Sequence, residues 1–241
     1  MKRLACCTLV LTVAALATVA PAERPVAVYS DAAPGLDLNF DDGTSDFTDY
    51  GSSTRFSDGD WVFADGQVTS GTDTTYARLG PSMKDDHGQN TPMSDAQDWV
   101  FSVEWTNNVS TNTTIFEMGS VGGDVAKFGG LGGDSFQLGA AARGFYPEIW
   151  TGTLSTGVER LLTIHYKAGT QTMDFYIDDE LIAADFESLK GNYQLNFLQI
   201  LGGAHSPAGE TFDDIKMGII PEPATMALLG FGAVALLRRR K

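Results

Sequence analysis

Aromatic and acidic side chains at alternating positions are the first residues in this sequence whose types and spacing could bind a ligand. Tyr146, Glu148 and Trp150 are each two residues apart, so in a β-strand over residues 145–150 they would share one face. Two rings that flank a carboxylate can stack on a sugar ring and hydrogen-bond its hydroxyl groups. The same spacing is typical of packing between two sheets, so the segment predicts either a glycan-binding surface or part of a core.

Carboxylates near the first and last predicted strands could bind a divalent cation. Asp41 and Asp42 follow the first predicted strand, and Asp213 and Asp214 lie on the last one. Terminal strands are often neighbours in β-sandwiches, and clustered carboxylate oxygens suit a hard cation such as Ca²⁺. Such a calcium ion would be structural and would stabilise a domain without disulfides. The alternative is that these acidic residues end strands and keep the sheet edges soluble.

Acidic residues elsewhere do not form a pattern that predicts catalysis. A retaining glycosidase needs two carboxylates about 5 Å apart, which alternate positions of one strand would supply. Asp178, Asp179 and Glu180 are instead consecutive and lie at a predicted turn. Glu104 and Glu117 are each alone on their predicted strands, so we expect them to be solvated or hydrogen-bonded strand residues.

Histidines and short motifs do not indicate a metal centre or a known catalytic site either. His87, His165 and His205 are far apart, and none has a second ligand at metal-binding spacing. The sequence contains no Gly-x-Ser-x-Gly elbow, Walker loop or dinucleotide fingerprint. The glycine-rich stretch 129–133 is followed by neither a lysine nor a helix and is interpreted as a loop. We therefore expect that the protein is not an enzyme.

Short β-strands are the elements that would position these residues. In the run 98–105, Trp99, Phe101, Val103 and Trp105 alternate with mostly polar residues, and the same period of two recurs along the chain without a long helical period. The predicted strands span residues 36–40, 61–64, 67–70, 76–79, 98–105, 113–119, 135–140, 145–150, 162–167, 172–177, 180–184, 195–201 and 211–219. Strands of this length with glycine turns predict an all-β fold, an antiparallel β-sandwich or jelly roll over residues 35–219, after a flexible segment at 23–34.

Composition excludes several classes of protein. The 241 residues include 31 acidic and 16 basic residues, and this balance argues against nucleic acid as a partner. Two cysteines exclude a disulfide scaffold. With 43% hydrophobic residues, the chain can fill a core of its own.

The first 22 residues have the pattern of a secretory signal peptide. Lys2 and Arg3 precede an apolar run, and Ala20-Pro21-Ala22 supplies a small-residue cleavage site. Both cysteines would leave with the signal. The alternative, a retained anchor, would need a longer apolar run of about 20 residues.

The last 22 residues consist of three parts in a fixed order. A Pro-Glu-Pro motif precedes an apolar stretch over residues 224–237 and an arginine-rich end; the motif is Pro221, Glu222 and Pro223, and the arginines are Arg238, Arg239 and Arg240. This order resembles the PEP-CTERM sorting signal of Gram-negative bacteria. The resemblance implies a short transmembrane helix, transient anchoring in the inner membrane, and an exosortase-type membrane protease as a partner that removes the tail. The alternative is a plain C-terminal anchor.

Four runs in the second half carry a further resemblance. They are LLTIHY (161–166), MDFYIDDELI (173–182), LQILGG (198–203) and FDDIKM (212–217). Their order resembles the laminin-G-like branch of the concanavalin A-like lectin/glucanase fold, and the match in strand order spans about residues 36–219. The hairpin glycine that is usual in that branch is Asp179 here, so we expect Asp179 to adopt a positive φ, which aspartate tolerates better than most residues.

Taken together, the two resemblances imply an exported protein of the cell surface or extracellular matrix. We expect it to bind extracellular polysaccharide or another surface polymer without catalysis. Two alternatives stay open: a structural matrix protein with no discrete ligand, and a divergent glycan hydrolase or lyase. Loss of both termini would remove six basic residues and leave 10 basic against 31 acidic residues, a net charge of −21.

Overall fold

Alternating apolar residues form an all-β fold, as the sequence predicts. The computed structural model describes residues 23–26, 36–38, 40, 55–56, 62–70, 75–79, 94–108, 114–120, 123–140, 148–188, 193, 195, 197–202 and 209–220. These residues form fifteen strands and no helix. The strands are β1 (Leu36–Leu38), β2 (Arg55–Phe56), β3 (Val62–Ala64), β4 (Gln67–Thr69), β5 (Thr75–Leu79), β6 (Trp99–Thr106), β7 (Thr114–Ser120), β8 (Gly123–Gly132), β9 (Ser135–Gly139), β10 (Glu148–Thr153), β11 (Glu159–Lys167), β12 (Thr172–Ile177), β13 (Glu180–Phe186), β14 (Phe197–Gly202) and β15 (Thr211–Ile219).

The strands pair in two antiparallel sheets. The eight-stranded sheet has the order β13-β12-β11-β6-β15-β4-β3, and β1 also pairs with β15. The seven-stranded sheet has the order β10-β9-β8-β7-β14-β5-β2. Leu36 lies opposite Met217 in the β1–β15 pair, so the first and last strands are neighbours, as expected. The two sheets pack face to face, which is the arrangement of a β-sandwich.

Aromatic side chains from both sheets fill the core. Trp105 of the eight-stranded sheet packs edge-on against Phe128 and Phe136 of the seven-stranded sheet, with ring centroids 5.8 and 5.1 Å apart. Phe101 packs in the same way on Phe116, at 5.0 Å. Each such pair adds about 0.5–1.5 kcal/mol beyond the area that it buries. The alternation along 98–105 therefore creates the inner face of a central strand.

The glycine-rich stretch is the clearest error of the strand prediction. Residues 129–132 belong to β8, not to a loop, and Gly129 lies opposite Gln137 on one side and Thr114 on the other. Neighbouring strands satisfy the backbone hydrogen bonds on both sides, and this outweighs the low strand propensity of glycine. The turn begins only at Gly132 and Gly133, which have φ values of 101° and 63°. The rest of β8 (residues 123–128) and the short strand β2 were also missed.

The β12–β13 hairpin places its positive φ one residue earlier than expected. Asp178, not Asp179, has a φ of 56°. Its carboxylate accepts hydrogen bonds from the Leu161 backbone N–H at 3.1 Å and from Arg160 Nη1 at 2.8 Å. These two contacts hold Asp178 in the left-handed conformation, which short polar residues adopt more readily than others.

The terminal signals lie outside the described residues. The predicted signal peptide, the Pro-Glu-Pro motif and the apolar stretch 224–237 are therefore known from sequence alone. Within the ranges that the structure describes, no helix is both long and apolar enough to cross a membrane.

Candidate functional site

Glu148 and Trp150 do not share a face, contrary to the prediction. Glu148 lies opposite Gly139, and Trp150 lies opposite Leu138. Gly139 and Leu138 are adjacent on β9, but their partners on β10 have one extra residue, Ile149, between them. This bulge rotates the strand, because adjacent residues point to opposite faces of a sheet. Glu148 is exposed and Trp150 is on the side of the buried Leu138. Tyr146, the third predicted ligand-binding residue, lies outside the described part of the chain.

The indole of Trp150 belongs to the edge of the core. Its ring centroid lies 6.4 Å from that of Phe128 and 6.1 Å from that of Phe175, so it contacts both sheets. The ring also lies over the backbone of Gly152, where a Cβ would be 2.7 Å from Trp150 Cη2 and 2.8 Å from Cε2. Gly152 is required there because only a residue without a side chain leaves room for the indole. The structure therefore favours the packing interpretation of Trp150 over stacking on a sugar.

Replacing Gly152 with alanine is expected to lower the free energy of unfolding by about 1–3 kcal/mol, because the new methyl group overlaps the Trp150 ring. Urea denaturation measures this loss. Gly169→Ala is the matched control, since a Cβ at Gly169 meets no atom within 4 Å. Equal stability of the two variants would contradict this placement of Trp150.

Polar residues on the other face of the seven-stranded sheet are aligned across the strands. Glu117 and Lys127 are direct partners, and their neighbours Phe116, Met118, Ala126 and Phe128 are core residues, so the pair points outward. The register extends this pair to both sides. We call the aligned positions the outer row; in strand order they are the backbone positions of Arg55, Arg78, Gln199, Glu117, Lys127, Gly139 and Glu148, and the polar side chains described among them are those of Glu117, Lys127 and Glu148. At about 4.8 Å per strand, it is about 29 Å long.

The described members of the outer row are close enough to interact. Lys127 Nζ lies 3.7 Å from Glu117 Oε2, and their side chains are 18% and 19% exposed. Next to the row, Thr151 Oγ1 donates a hydrogen bond of 2.6 Å to Glu148 Oε1. Gln137 lies opposite Thr151 and two residues from Gly139, so it belongs to the same face. This face thus combines an ammonium, carboxylates, an amide and a hydroxyl group.

Such a surface can hydrogen-bond a chain of sugar hydroxyl groups. Donors and acceptors lie on Glu117, Lys127, Gln137 and Glu148 of four neighbouring strands. Sequence reasoning missed the outer row because its members are separated by many residues and come from seven strands. The only signal in the sequence was a polar residue between apolar neighbours on some of the strands, such as Glu117 between Phe116 and Met118.

The outward face of the eight-stranded sheet carries a second cluster, which is acidic. Glu104 is the one acidic residue on β6, as predicted, and it lies directly opposite Asp213 of β15. Burial raises the pKa of Glu104, and the carboxylates of Asp214, Glu159 and Asp213 raise it further, while Lys216 lowers it. Two carboxylates at directly opposed positions have Cβ atoms about 4.5–5.5 Å apart.

The described half of the predicted calcium site does not by itself fit a cation. Asp214 Oδ2 is 2.7 Å from Lys216 Nζ, so an ammonium group already neutralises this carboxylate. Asp213 Oδ1 accepts the backbone N–H of Asp214 at 2.7 Å. No group of three or more histidine, cysteine, aspartate or glutamate side chains is placed for metal binding among the residues with described positions. Asp41 and Asp42 lie outside them, so calcium binding stays a prediction.

His165 lies in a structural network on the same sheet. Its Nε2 is 3.8 Å from Asp98 Oδ2, and burial lowers its pKa, although the nearby Asp98 opposes this. Lys167 is two residues after His165 on β11 and so lies on the same face. Its Nζ contacts Asp174 and Asp185 at 2.6 Å each. Burial alone would lower the pKa of Lys167, but the two hydrogen bonds outweigh it and raise the pKa. These groups cross-link β11, β12 and β13.

Comparisons with known proteins identify the C-terminal segment and the fold. Residues 220–241 match the family described as the PEP-CTERM protein-sorting motif. No curated protein matches the sequence. Among solved structures, the chain is similar to the CBM2 module of the evolved Dit protein of Lactobacillus casei BL23 phage J-1, with a TM-score of 0.52 and 10% identity over 79% of this chain and 98% of that one.

Trypanosoma rangeli sialidase is a second similar structure, with a TM-score of 0.51 and 12% identity over 78% of this chain. This chain spans only 30% of the sialidase chain. At such identities the likeness shows the fold alone. The protein therefore consists of a β-sandwich of the jelly-roll type and ends in a PEP-CTERM protein-sorting motif, a signal that indicates export and surface sorting in Gram-negative bacteria and implies processing by an exosortase.

Proposed function

We propose that the protein binds extracellular polysaccharide at the cell surface or in the matrix, through the outer row and without catalysis. The observation that carries the proposal is the alignment of Glu117, Lys127 and Glu148, with Gln137 and Thr151 beside them, across four neighbouring strands of one sheet. An extended polymer can follow such a line, and each strand adds at most one or two hydrogen bonds. Binding through many weak contacts suits a protein that must hold a matrix polymer.

Charge and fold support a sugar as the ligand. The expected net charge of the exported chain opposes binding of nucleic acid, and the ammonium group of Lys127 on this face is paired with Glu117. Neutral hydroxyl groups are hydrogen-bonded equally well by carboxylates, amides and ammonium groups. The similarity to a CBM2 module shows that the same fold occurs in that protein and is consistent with this role.

The spacing of carboxylates on this face argues against hydrolysis there. Glu117 and Glu148 are three strands apart, which corresponds to about 14 Å. Glycoside hydrolysis needs two carboxyl groups about 5–9.5 Å apart. The described carboxylates of the outer row therefore suit hydrogen bonding to a sugar better than acid–base chemistry on it.

A binding assay with a matched pair of variants tests the proposal. The double variant Glu117→Met/Lys127→Met is expected to weaken binding to the preferred polysaccharide of a glycan array by about tenfold or more, since two polar contacts are lost. The control Arg160→Gln/Asp178→Asn also removes one basic and one acidic residue, from the eight-stranded sheet, and is expected to bind normally. Equal binding by both variants, or no glycan bound by the wild type, would contradict the proposal.

The acidic cluster favours a divergent glycan hydrolase as a second candidate. The opposed Glu104 and Asp213, together with the raised pKa of Glu104, have the arrangement that acid–base catalysis uses. Polysaccharide turnover that is lost in Glu104→Gln, with binding retained, would establish this function. Absence of turnover in the wild type would leave the non-catalytic proposal in place.

A further inference from the structure

One carboxyl group is buried inside the sandwich. Glu210 is 1% exposed and immediately precedes β15. Its backbone carbonyl accepts the Ser70 N–H at 2.9 Å, and its side-chain Oε2 accepts the indole N–H of Trp105 at 2.7 Å. Glu210 therefore points into the same interior as the core aromatic rings, at one end of the two sheets. This position is costly for an ionised carboxylate.

A second polar side chain lies beside it. Thr211 is the direct partner of Thr106, so Glu210 and Asn107 occupy the next opposed positions of β15 and β6. Asn107 is also 1% exposed. Trp105 is a core residue, and side chains alternate along a strand, so Asn107 points inward as Glu210 does.

Each of the two side chains has an oxygen without a hydrogen bond. Glu210 Oε1 and Asn107 Oδ1 are both buried and have no donor within the described residues. The nearby donors are already engaged. The Trp105 indole bonds Glu210 Oε2, Asn107 Nδ2 contacts Thr156 Oγ1 at 3.5 Å, and Thr156 donates its hydroxyl to Asp134 at 2.7 Å. Two adjacent buried acceptors without a donor would repel each other.

One proton on Glu210 satisfies both oxygens. The geometry points to a neutral Glu210 at physiological pH, with the Oε1 hydroxyl donated to Asn107 Oδ1, so that the sandwich binds one proton when it folds and is more stable in mildly acidic surroundings. This inference is independent of polysaccharide binding. The folding stability of an exported protein of this kind would vary with the pH of the medium outside the cell, which is not buffered as the cytoplasm is.

The surroundings of Glu210 support this protonation state. Burial raises the pKa of Glu210 to about 7, and the Trp105 hydrogen bond lowers it only in part. No charged side chain contributes to this shift; Asp134, reached through Thr156, is the nearest charged group in the hydrogen-bonded chain of described residues. Glu104 is on β6 as well, but it belongs to the acidic cluster on the outward face.

The sign of the pH effect follows from the direction of the shift. A carboxyl group whose pKa is higher in the folded than in the unfolded state binds the proton more tightly when folded. Its ionisation destabilises the fold, beginning near the unfolded pKa of 4.5 and reaching its full extent above pH 7. Stability is therefore expected to fall as the pH rises through this window.

Urea unfolding of the exported chain between pH 5 and 8.5 tests the inference with Glu210→Gln. Glutamine mimics the neutral acid, since it can accept from Trp105 and donate to Asn107. From pH 5 to 8.5 the folding equilibrium constant of the wild type is expected to fall by up to about 100-fold relative to that of the variant. Glu180→Gln, on the exposed start of β13, removes the same charge and is the control; it is expected to keep the wild-type pH dependence. Identical pH profiles of the Glu210→Gln and Glu180→Gln variants would overturn the inference.

A second measurement does not require the Glu210→Gln variant to fold. In ¹³C NMR of the wild-type protein, one glutamic acid carboxyl carbon is expected to titrate near pH 7, and the same titration is expected to persist in Glu104→Gln. If all glutamic acid carboxyl carbons of Glu104→Gln titrate below about pH 5, near the ordinary range, Glu210 is ionised and the inference is wrong.

Discussion

Replacing Trp105 with alanine is expected to lower the free energy of unfolding by about 3–5 kcal/mol, the usual loss for truncating a large aromatic core residue. Trp105 is 1% exposed and packs on Phe128 and Phe136 of the opposite sheet. The change leaves a cavity between the two sheets. It also removes the hydrogen bond to Glu210 Oε2, so a buried carboxyl group loses its only described partner for that oxygen.

Trp105→Phe separates these two contributions. Phenylalanine keeps most of the ring contacts but lacks the indole N–H, so we expect an intermediate loss of about 1–3 kcal/mol. Urea denaturation of the two variants at one pH measures both values. A loss below about 1 kcal/mol for Trp105→Ala would contradict the position of this side chain at the centre of the core.

Changing the sorting motif is expected to abolish processing of the tail. In the variant Pro221→Ala/Glu222→Ala/Pro223→Ala, the apolar stretch 224–237 and the basic end are intact, but the motif that the protease recognises is absent. The unprocessed chain is then expected to stay in the inner-membrane fraction, because the arginines remain on the cytoplasmic side. The wild-type chain is expected in the surface fraction without its tail.

Mass spectrometry of the fractions measures this difference, which should be all or none. Glu180→Ala, a change of one acidic residue within the sandwich, is the control and is expected to be processed normally. Equal processing of the triple variant and the wild type would show that the Pro-Glu-Pro motif is not needed for sorting.

Local periodicity was enough to predict most strands. The alternation of Trp99, Phe101, Val103 and Trp105 specifies a strand with one buried face, whatever its neighbours are. Where the strand prediction failed, pairing with the neighbouring strands explains the observed structure. Gly129 has no side chain that could show a pattern, and it is part of β8 because β7 and β9 pair with it on both sides. A pairing of this kind connects residues that local sequence does not relate.

The prediction that Glu148 and Trp150 share one face failed for a related reason. Glu148 and Trp150 are two residues apart, and only the register with β9 reveals the bulge that turns them to opposite faces. The outer row depends even more on register, because Glu117, Lys127 and Gln199 align through three different strands. A single polar residue on each strand carries no information about alignment. The alignment of the outer row and the charges that it brings together could therefore not be predicted from any one segment.

The position of β15 would have a mechanical consequence if the apolar stretch 224–237 anchors the protein, as the sequence predicts. This strand is hydrogen-bonded to β6 on one side and to β1 and β4 on the other, and the Ile220 N–H still bonds the Asp98 carbonyl at 2.9 Å. Only residues 221–223 separate it from the apolar stretch, and they span at most about 11 Å. A pull between surface and membrane would thus load a central strand along its length, and many hydrogen bonds would have to shear together. If the apolar stretch enters the membrane as the sequence predicts, the sandwich would lie within about 11 Å of it along the chain before the tail is removed.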